Sequence, residues 1–232
     1  MWSMVDNQPL VEAIVERVAK VRERIAEACR RVGRTDAPQI VAVTKNQDPE
    51  VLPALAGAGL ECCGENRIDH LRLMHDAAPP STTFAYIGRV QGRQLTTVVA
   101  CCTCLHSLAE IRHVARLAEA CRRSERRIVV FLQANTSGEA QKAGVSPEDL
   151  PALLEACRAE EDALEVIGLM TMAPDIRNSG DDSPVRRTFA ALRTLAETHA
   201  LPGLSMGMST DFEIAVEEGA THLRLGTILF PS

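Results

Sequence analysis

Of the twenty-five Lys and Arg side chains in this sequence, only Lys20, Lys45 and Lys142 are lysines. Lys45 stands apart. It ends the apolar run Ile40-Val41-Ala42-Val43-Thr44 and is followed at once by turn-forming Asn46-Gln47-Asp48-Pro49, whereas Lys20 and Lys142 lie in a polar helix and a polar loop. A chain so rich in arginine would be expected to use Arg at 45 if charge alone were needed. An amine at the tip of a buried strand points to chemistry that Arg cannot do. Partly desolvated, it has a lowered pKa and can form a Schiff base with an aldehyde. A lysine that only snorkels from a strand end to water occupies the same kind of position. Three further features bear on the choice. Met208-Ser209-Thr210-Asp211-Phe212-Glu213 reads as a loop entering a helix, with Thr210-x-x-Glu213 as a capping box. Gly226-Thr227 offers a backbone open to close approach and a hydroxyl. Arg224 interrupts Leu223-x-Leu225, where an unpaired charge is costly. A plain helix cap, a plain turn and a structural ion pair account for each of these singly.

The elements that must position these residues follow from periodicity. Residues 9–32 carry Val11, Ile14, Val15, Val18, Val21, Ile25, Cys29 and Val32 on one helical face, with Gly33 as a stop. Beyond it, short apolar runs near 40–44, 60–63, 84–87, 102–105, 128–134, 165–169, 204–206 and 222–225 alternate with helical stretches. The helical stretches lie near 48–57, 66–78, 90–100, 107–124, 147–160, 184–199 and 210–218. Strand alternating with helix implies parallel strands, and eight such units predict a (β/α)8 barrel. The expectation is one α/β domain over residues 1–232, with the extra N-terminal helix covering the place of a helix after the last strand. An open doubly wound sheet is the rival, weakened because no G-x-G-x-x-G follows the first strand. In such a barrel function gathers on the loops after the strands, and loops seven and eight often hold a phosphate. Those positions bring Lys45, Gly64-Glu65-Asn66-Arg67, Gly88-Arg89, His106-Ser107, Asn135-Thr136, Met170–Pro174, Met206–Ser209 and Gly226-Thr227 to one end. An amine, an anion seat at a helix N-terminus and an inward cation together describe a site for pyridoxal 5′-phosphate (PLP).

The motifs Val41-Ala42-Val43-Thr44-Lys45, Gly64-Glu65-Asn66, Tyr86-Ile87-Gly88, His106-Ser107, Gly168–Pro174, Leu204–Ser209 and Arg224-Leu225-Gly226-Thr227 resemble, in order, those of the pyridoxal phosphate homeostasis protein family. The resemblance implies a PLP-binding barrel like the N-terminal domain of alanine racemase. Lys45 would carry the cofactor as a Schiff base. Ser209, Gly226 and Thr227 would seat its phosphate, and Arg224 would face the pyridine nitrogen. Asn66 would lie beside the ring, while Met206 and Met208 would frame the phosphate loop. Three departures stand out: Ala85 where the family commonly has His, the divergent loop Arg89–Gln94, and Pro231 after Phe230.

A racemase needs a second acid or base across the cofactor from its lysine. In alanine racemase another domain supplies a tyrosine; the one tyrosine here, Tyr86, falls inside the third strand. The expected role is therefore non-enzymatic: a monomer that binds and buffers PLP and hands it to PLP-dependent apo-enzymes. A low-activity PLP-dependent amino-acid racemase is the alternative, and a cofactor-free Schiff-base aldolase a third class. Composition limits other roles. Net charge is −6, aromatics make up 3%, and no basic stripe argues for nucleic acid. No apolar run is long enough to span a bilayer and the N-terminal residues lack a signal pattern, so a cytoplasmic protein with reduced thiols is expected. Cys101-x-x-Cys104 has no second pair at zinc spacing and reads as small buried hydrophobes.

Overall fold

Sheet hydrogen bonding in the computed structural model closes β1 (Gln39–Val43), β2 (Cys62–Glu65), β3 (Thr83–Tyr86), β4 (Cys104–Leu108), β5 (Ile128–Gln133), β6 (Leu164–Met170), β7 (Gly203–Ser205) and β8 (His222–Leu225) into a parallel barrel in sequence order. The structure describes residues 8–137, 143–175 and 180–231. Lys142, the N-terminal residues 1–7 and much of the polar stretch before 183 lie outside them. The helices are α1 (Gln8–Arg31), α2 (Val51–Gly57), α3 (Ile68–Ala77), α4 (Leu95–Cys101), α5 (Val114–Arg123), α6 (Leu150–Arg158), α7 (Ser183–Thr198) and α8 (Phe212–Glu217). β1 pairs with β8, Val41 opposite Arg224 and Ala42 opposite Leu225, which completes the closure. α1 packs against both α2 and α8, so it takes the place of a helix after β8.

Two apolar layers follow from the period of two along each strand. Ile40, Ala42, Phe84, Tyr86, Leu204, Leu223 and Leu225 join the core between barrel and helices. Their neighbours Val41, Val43, Ala85 and Phe131 are buried inside the barrel. Where β6 meets β7, a Cβ on Gly168 would stand 2.1 Å from the Gly203 carbonyl oxygen, so the strands close here only because both positions are glycine.

Strand boundaries differ from the periodicity at two points that matter for the site. β4 runs over 104–108 rather than 102–105, because the continuous apolar stretch 98–105 spans a helix end: the Cys102 N–H still bonds the Val98 carbonyl. His106 and Ser107 therefore lie within a strand, not on the loop after it. β2 likewise continues to Glu65, which is fully buried. The cysteines behave as small hydrophobes. All eight are free, burial pushes the Cys63 thiol up to about 12, and no metal-binding cluster occurs among the described residues.

Candidate functional site

Lys45 sits one residue past the strand ladder. Thr44 N–H still bonds the Gly64 carbonyl at 3.1 Å, and Gln47 N–H closes a turn onto Thr44 O at 2.8 Å. Lys45 shares strand parity with inward Val41 and Val43, so it rises from the barrel interior into the mouth. It is exposed. The desolvation expected at a buried strand tip is thus not found in the chain by itself, because the turn lifts the amine clear of the packed layer. Asn66 has the matching position on β2 and is also exposed. Its backbone is held from behind. The Tyr86 hydroxyl donates to Asn66 O at 3.2 Å. A Cβ on Gly88 would meet that same oxygen at 2.3 Å, so only glycine lets the third loop pass.

On the other flank of β1, beside β8, lies the junction of loops seven and eight. Ser209 Oγ accepts from the Gly226 N–H at 3.2 Å and the Ile228 N–H at 3.4 Å, so one hydroxyl draws the two loops together. Thr227 stands between those amides, exposed. Gly207 takes φ +92°, and a Cβ there would stand 2.5 Å from Ala215 Cβ. The capping box expected from Thr210 and Glu213 is not formed. Glu213 is drawn away to Arg24 of α1 at 3.1 Å, and Asp211 at the helix start takes the closing role, accepting from Met208 N–H at 2.5 Å. Asp211 is buried, which pushes its carboxyl above the ordinary value. Met206 is fully buried in the outer core, where its side chain supports the loop from beneath; Met208 is half-buried.

Arg224 lies between the lysine and this junction, 5% exposed. Its guanidinium donates to Ser205 Oγ and to the Thr171 carbonyl, both at 2.8 Å. Burial brings its pKa down to about 10, and Asp211 offsets part of that. Among the described residues no carboxylate pairs with it; the structural ion pair considered from the sequence is absent. Ser205 Oγ also lies 2.8 Å from His106 Nδ1 on β4, a contact between β4 and β7 possible only across the barrel interior. The Ser205 oxygen accepts from Arg224 and its hydroxyl can donate to a neutral His106 Nδ1. Burial, then the charges of Arg224 and His222, hold the His106 pKa well below its ordinary value. Ser205, Thr171 and Asp211 were missed from sequence. Only the period of two along β7 could have flagged Ser205, as a hydroxyl placed inward between Leu204 and Met206.

The divergent third loop lines a separate cleft of ≈350 Å³ with Ser107, Glu110, His113 and Gln133. Its Arg89 pairs with Glu110 at 3.4 Å.

Residues 17–231 match the family model described as alanine racemase, N-terminal domain. The pyridoxal phosphate homeostasis protein of Aquifex aeolicus is 36% identical over 222 residues, which cover 93% of this chain and 96% of that one. The Pseudomonas aeruginosa protein of the same name is 35% identical over 224 residues, 95% of this chain and 96% of its own. PipY of Synechococcus elongatus, solved with PLP bound, superposes with a TM-score of 0.79 at 28% identity, over 94% of this chain and all of that one. Such coverage from both sides at this identity means that the protein belongs to the pyridoxal phosphate homeostasis protein family.

Proposed function

We propose that this protein binds PLP across the barrel mouth, with Lys45 as the covalent attachment point, and holds it for delivery to PLP-dependent apo-enzymes. The observation that carries the reading is the buried Arg224 cation, which among the described residues is paired directly with no carboxylate and has only Asp211 to offset its burial in part. A buried charge so weakly compensated is expensive, and a cofactor with a hydrogen-bond-accepting ring nitrogen and an anionic phosphate offsets that cost. The junction of loops seven and eight fits the phosphate. A Cβ on Gly226 would make ordinary contact with Val43 at 3.5 Å, and Gly226 has no positive φ. The fold itself does not require glycine there, which suits a ligand's close approach to the backbone. The Gly226 and Ile228 amides fix Ser209 Oγ in place and leave its O–H to donate, and Thr227 brings a second hydroxyl to the same junction, donors that suit a phosphate. Met206 contributes through its backbone and its support of the loop.

When bound, PLP supplies an aldehyde for amines and a ring able to withdraw electrons. A cation at the ring nitrogen opposes protonation there and so weakens the withdrawal. The side chains weighed as a second base are engaged elsewhere: Tyr86 holds Asn66, and His106 lies against Ser205. These facts favour a carrier over a racemase. Eight free thiols suit a reducing compartment, which favours the cytoplasm. No described helix is long and apolar enough to cross a membrane. Borohydride reduction of the PLP-loaded protein, followed by peptide mapping, tests the attachment. The pyridoxyl group is expected on Lys45; finding it on Lys20, which is paired with Glu16 in α1, or on Lys142 overturns the assignment.

A further inference from the structure

Behind Lys45, on the outer side of the barrel wall, lies a buried polar group that no step above uses. The Glu65 carboxylate is fully buried at the end of β2. One of its oxygens accepts from the Thr44 hydroxyl. The other lies 2.8 Å from His70 Nδ1 on α3. His70 Nε2 lies 3.0 Å from the Gln47 carbonyl oxygen. Thr44 precedes Lys45 and Gln47 follows it by two residues, so one carboxylate–imidazole couple grips the lysine turn on both flanks. The same Glu65 immediately precedes Asn66. From these contacts we infer that Glu65 and His70 are positioning residues for the cofactor site: they fix the turn that presents Lys45 and couple it to Asn66. This inference rests on Lys45 being the attachment point.

The proton count supports a specific, locked arrangement. The Gln47 carbonyl can only accept, so His70 Nε2 carries a proton. The second contact joins Nδ1 to a carboxylate oxygen at hydrogen-bonding distance, so a proton lies between them as well. Whether it resides on nitrogen or oxygen, the couple holds one proton more than a carboxylate and a neutral imidazole. A charge-assisted bond of this kind, buried on the Glu65 side, is stronger than a neutral one. It is also directional, as a positioning element must be. Without it, the Lys45 turn hangs on main-chain bonds alone, Thr44 N–H to Gly64 O and Gln47 N–H to Thr44 O.

The test uses His70→Ala, Glu65→Ala and Glu65→Gln in the full chain. Glutamine at 65 can still accept from Thr44 and can donate its amide N–H to a neutral His70 Nδ1, which leaves Nε2–H for Gln47. Amide hydrogen exchange of the 44–48 segment, measured without cofactor, is expected to quicken about tenfold in His70→Ala, the worth of one such bond. Glu65→Gln is expected to recover most of the protection lost in Glu65→Ala. Unchanged exchange in His70→Ala, or a Glu65→Gln variant no better than Glu65→Ala, overturns the brace. If Glu65→Ala fails to fold, His70→Ala alone decides the matter. Added PLP, followed by absorbance, should bind about tenfold more weakly to His70→Ala. Quicker exchange with unchanged PLP affinity would show a turn that is braced for another purpose, and would also sink the inference. A pyridoxyl group mapped away from Lys45 would instead overturn the attachment reading while leaving the exchange result intact.

Discussion

A guanidinium inside a barrel without a carboxylate beside it is costly to bury, and the protein meets the cost with oriented dipoles. Arg224 is served by Ser205 Oγ and Thr171 O, and Ser205 is held in turn against His106 Nδ1. Burial first, and then the charges of Arg224 and His222, keep His106 neutral. The sign follows from linkage. The folded state holds the His106 pKa below its ordinary 6.5, so in acid the unfolded chain takes up a proton that the folded chain refuses. The stability is present above pH 6.5 and is lost as pH falls below it, by about 1 kcal/mol per pH unit for the fully buried His106. His222 and His113 are lowered in the same direction, chiefly by burial. His106→Asn keeps an oxygen acceptor for Ser205 and removes one titration. Denaturant unfolding from pH 7 to 5.5 is expected to show a shallower acid loss in this variant, by about 1 kcal/mol at the lower end. An identical slope in the two proteins would mean that the network does not govern His106.

At the scale of elements, the loops after β7 and β8 contain two glycines with opposite meanings. Gly207 needs its glycine for the fold: φ is +92° and a Cβ would collide with Ala215. Gly207→Ala should cost about 2 kcal/mol or more, from backbone strain and overpacking together. Gly226 meets nothing closer than 3.5 Å. Gly226→Ala should leave stability within about 0.5 kcal/mol. It should nonetheless weaken PLP binding while leaving weak pyridoxal binding untouched, because the added methyl stands where a phosphate must approach. Calorimetric titration of both vitamers checks this, and equal losses for the two would remove the phosphate from that loop. The strand–helix alternation was legible in the sequence because period is a local signal. Lys45 and Arg224 stood out because each breaks an apolar run, while the roles proposed for Ser209 and Gly226 came from the family resemblance. The false capping box, the extension of β4 over His106 and the exposure of Lys45 were not. The first depends on a partner distant in sequence, Arg24 for Glu213; the other two depend on where a local hydrogen bond ends an element, Cys102 N–H on Val98 O and Gln47 N–H on Thr44 O, which apolar periodicity does not register. Glu65 and His70 were hidden for the first of these reasons, since spacing along the chain says nothing of a carboxylate that meets Thr44 from 21 residues away.

For the molecule as a whole, the question is whether the barrel makes a catalyst or a reservoir. Its mouth provides an amine just past β1, a cation on β8 and hydroxyls on the last two loops, all on one end of one closed sheet. Proton transfer at an amino-acid α-carbon needs more: a base on each face and a ring that accepts electrons. In the proposed placement, Arg224 facing the ring nitrogen would oppose the second requirement. Tyr86 cannot serve the first while its ring is buried outside the barrel wall and its hydroxyl is spent on Asn66. Amines should therefore exchange at the cofactor while the α-proton stays in place. Incubating the PLP-loaded protein with L-alanine in deuterated water, and following loss of the α-proton by NMR, separates the two cases. Loss is expected at the rate given by free PLP at the same concentration. Many turnovers that vanish in Lys45→Ala would assign the protein to racemase chemistry. Background exchange in wild type, together with transfer of PLP to an added apo-aminotransferase faster than the cofactor's spontaneous release, is the outcome that a binding barrel without a second base requires.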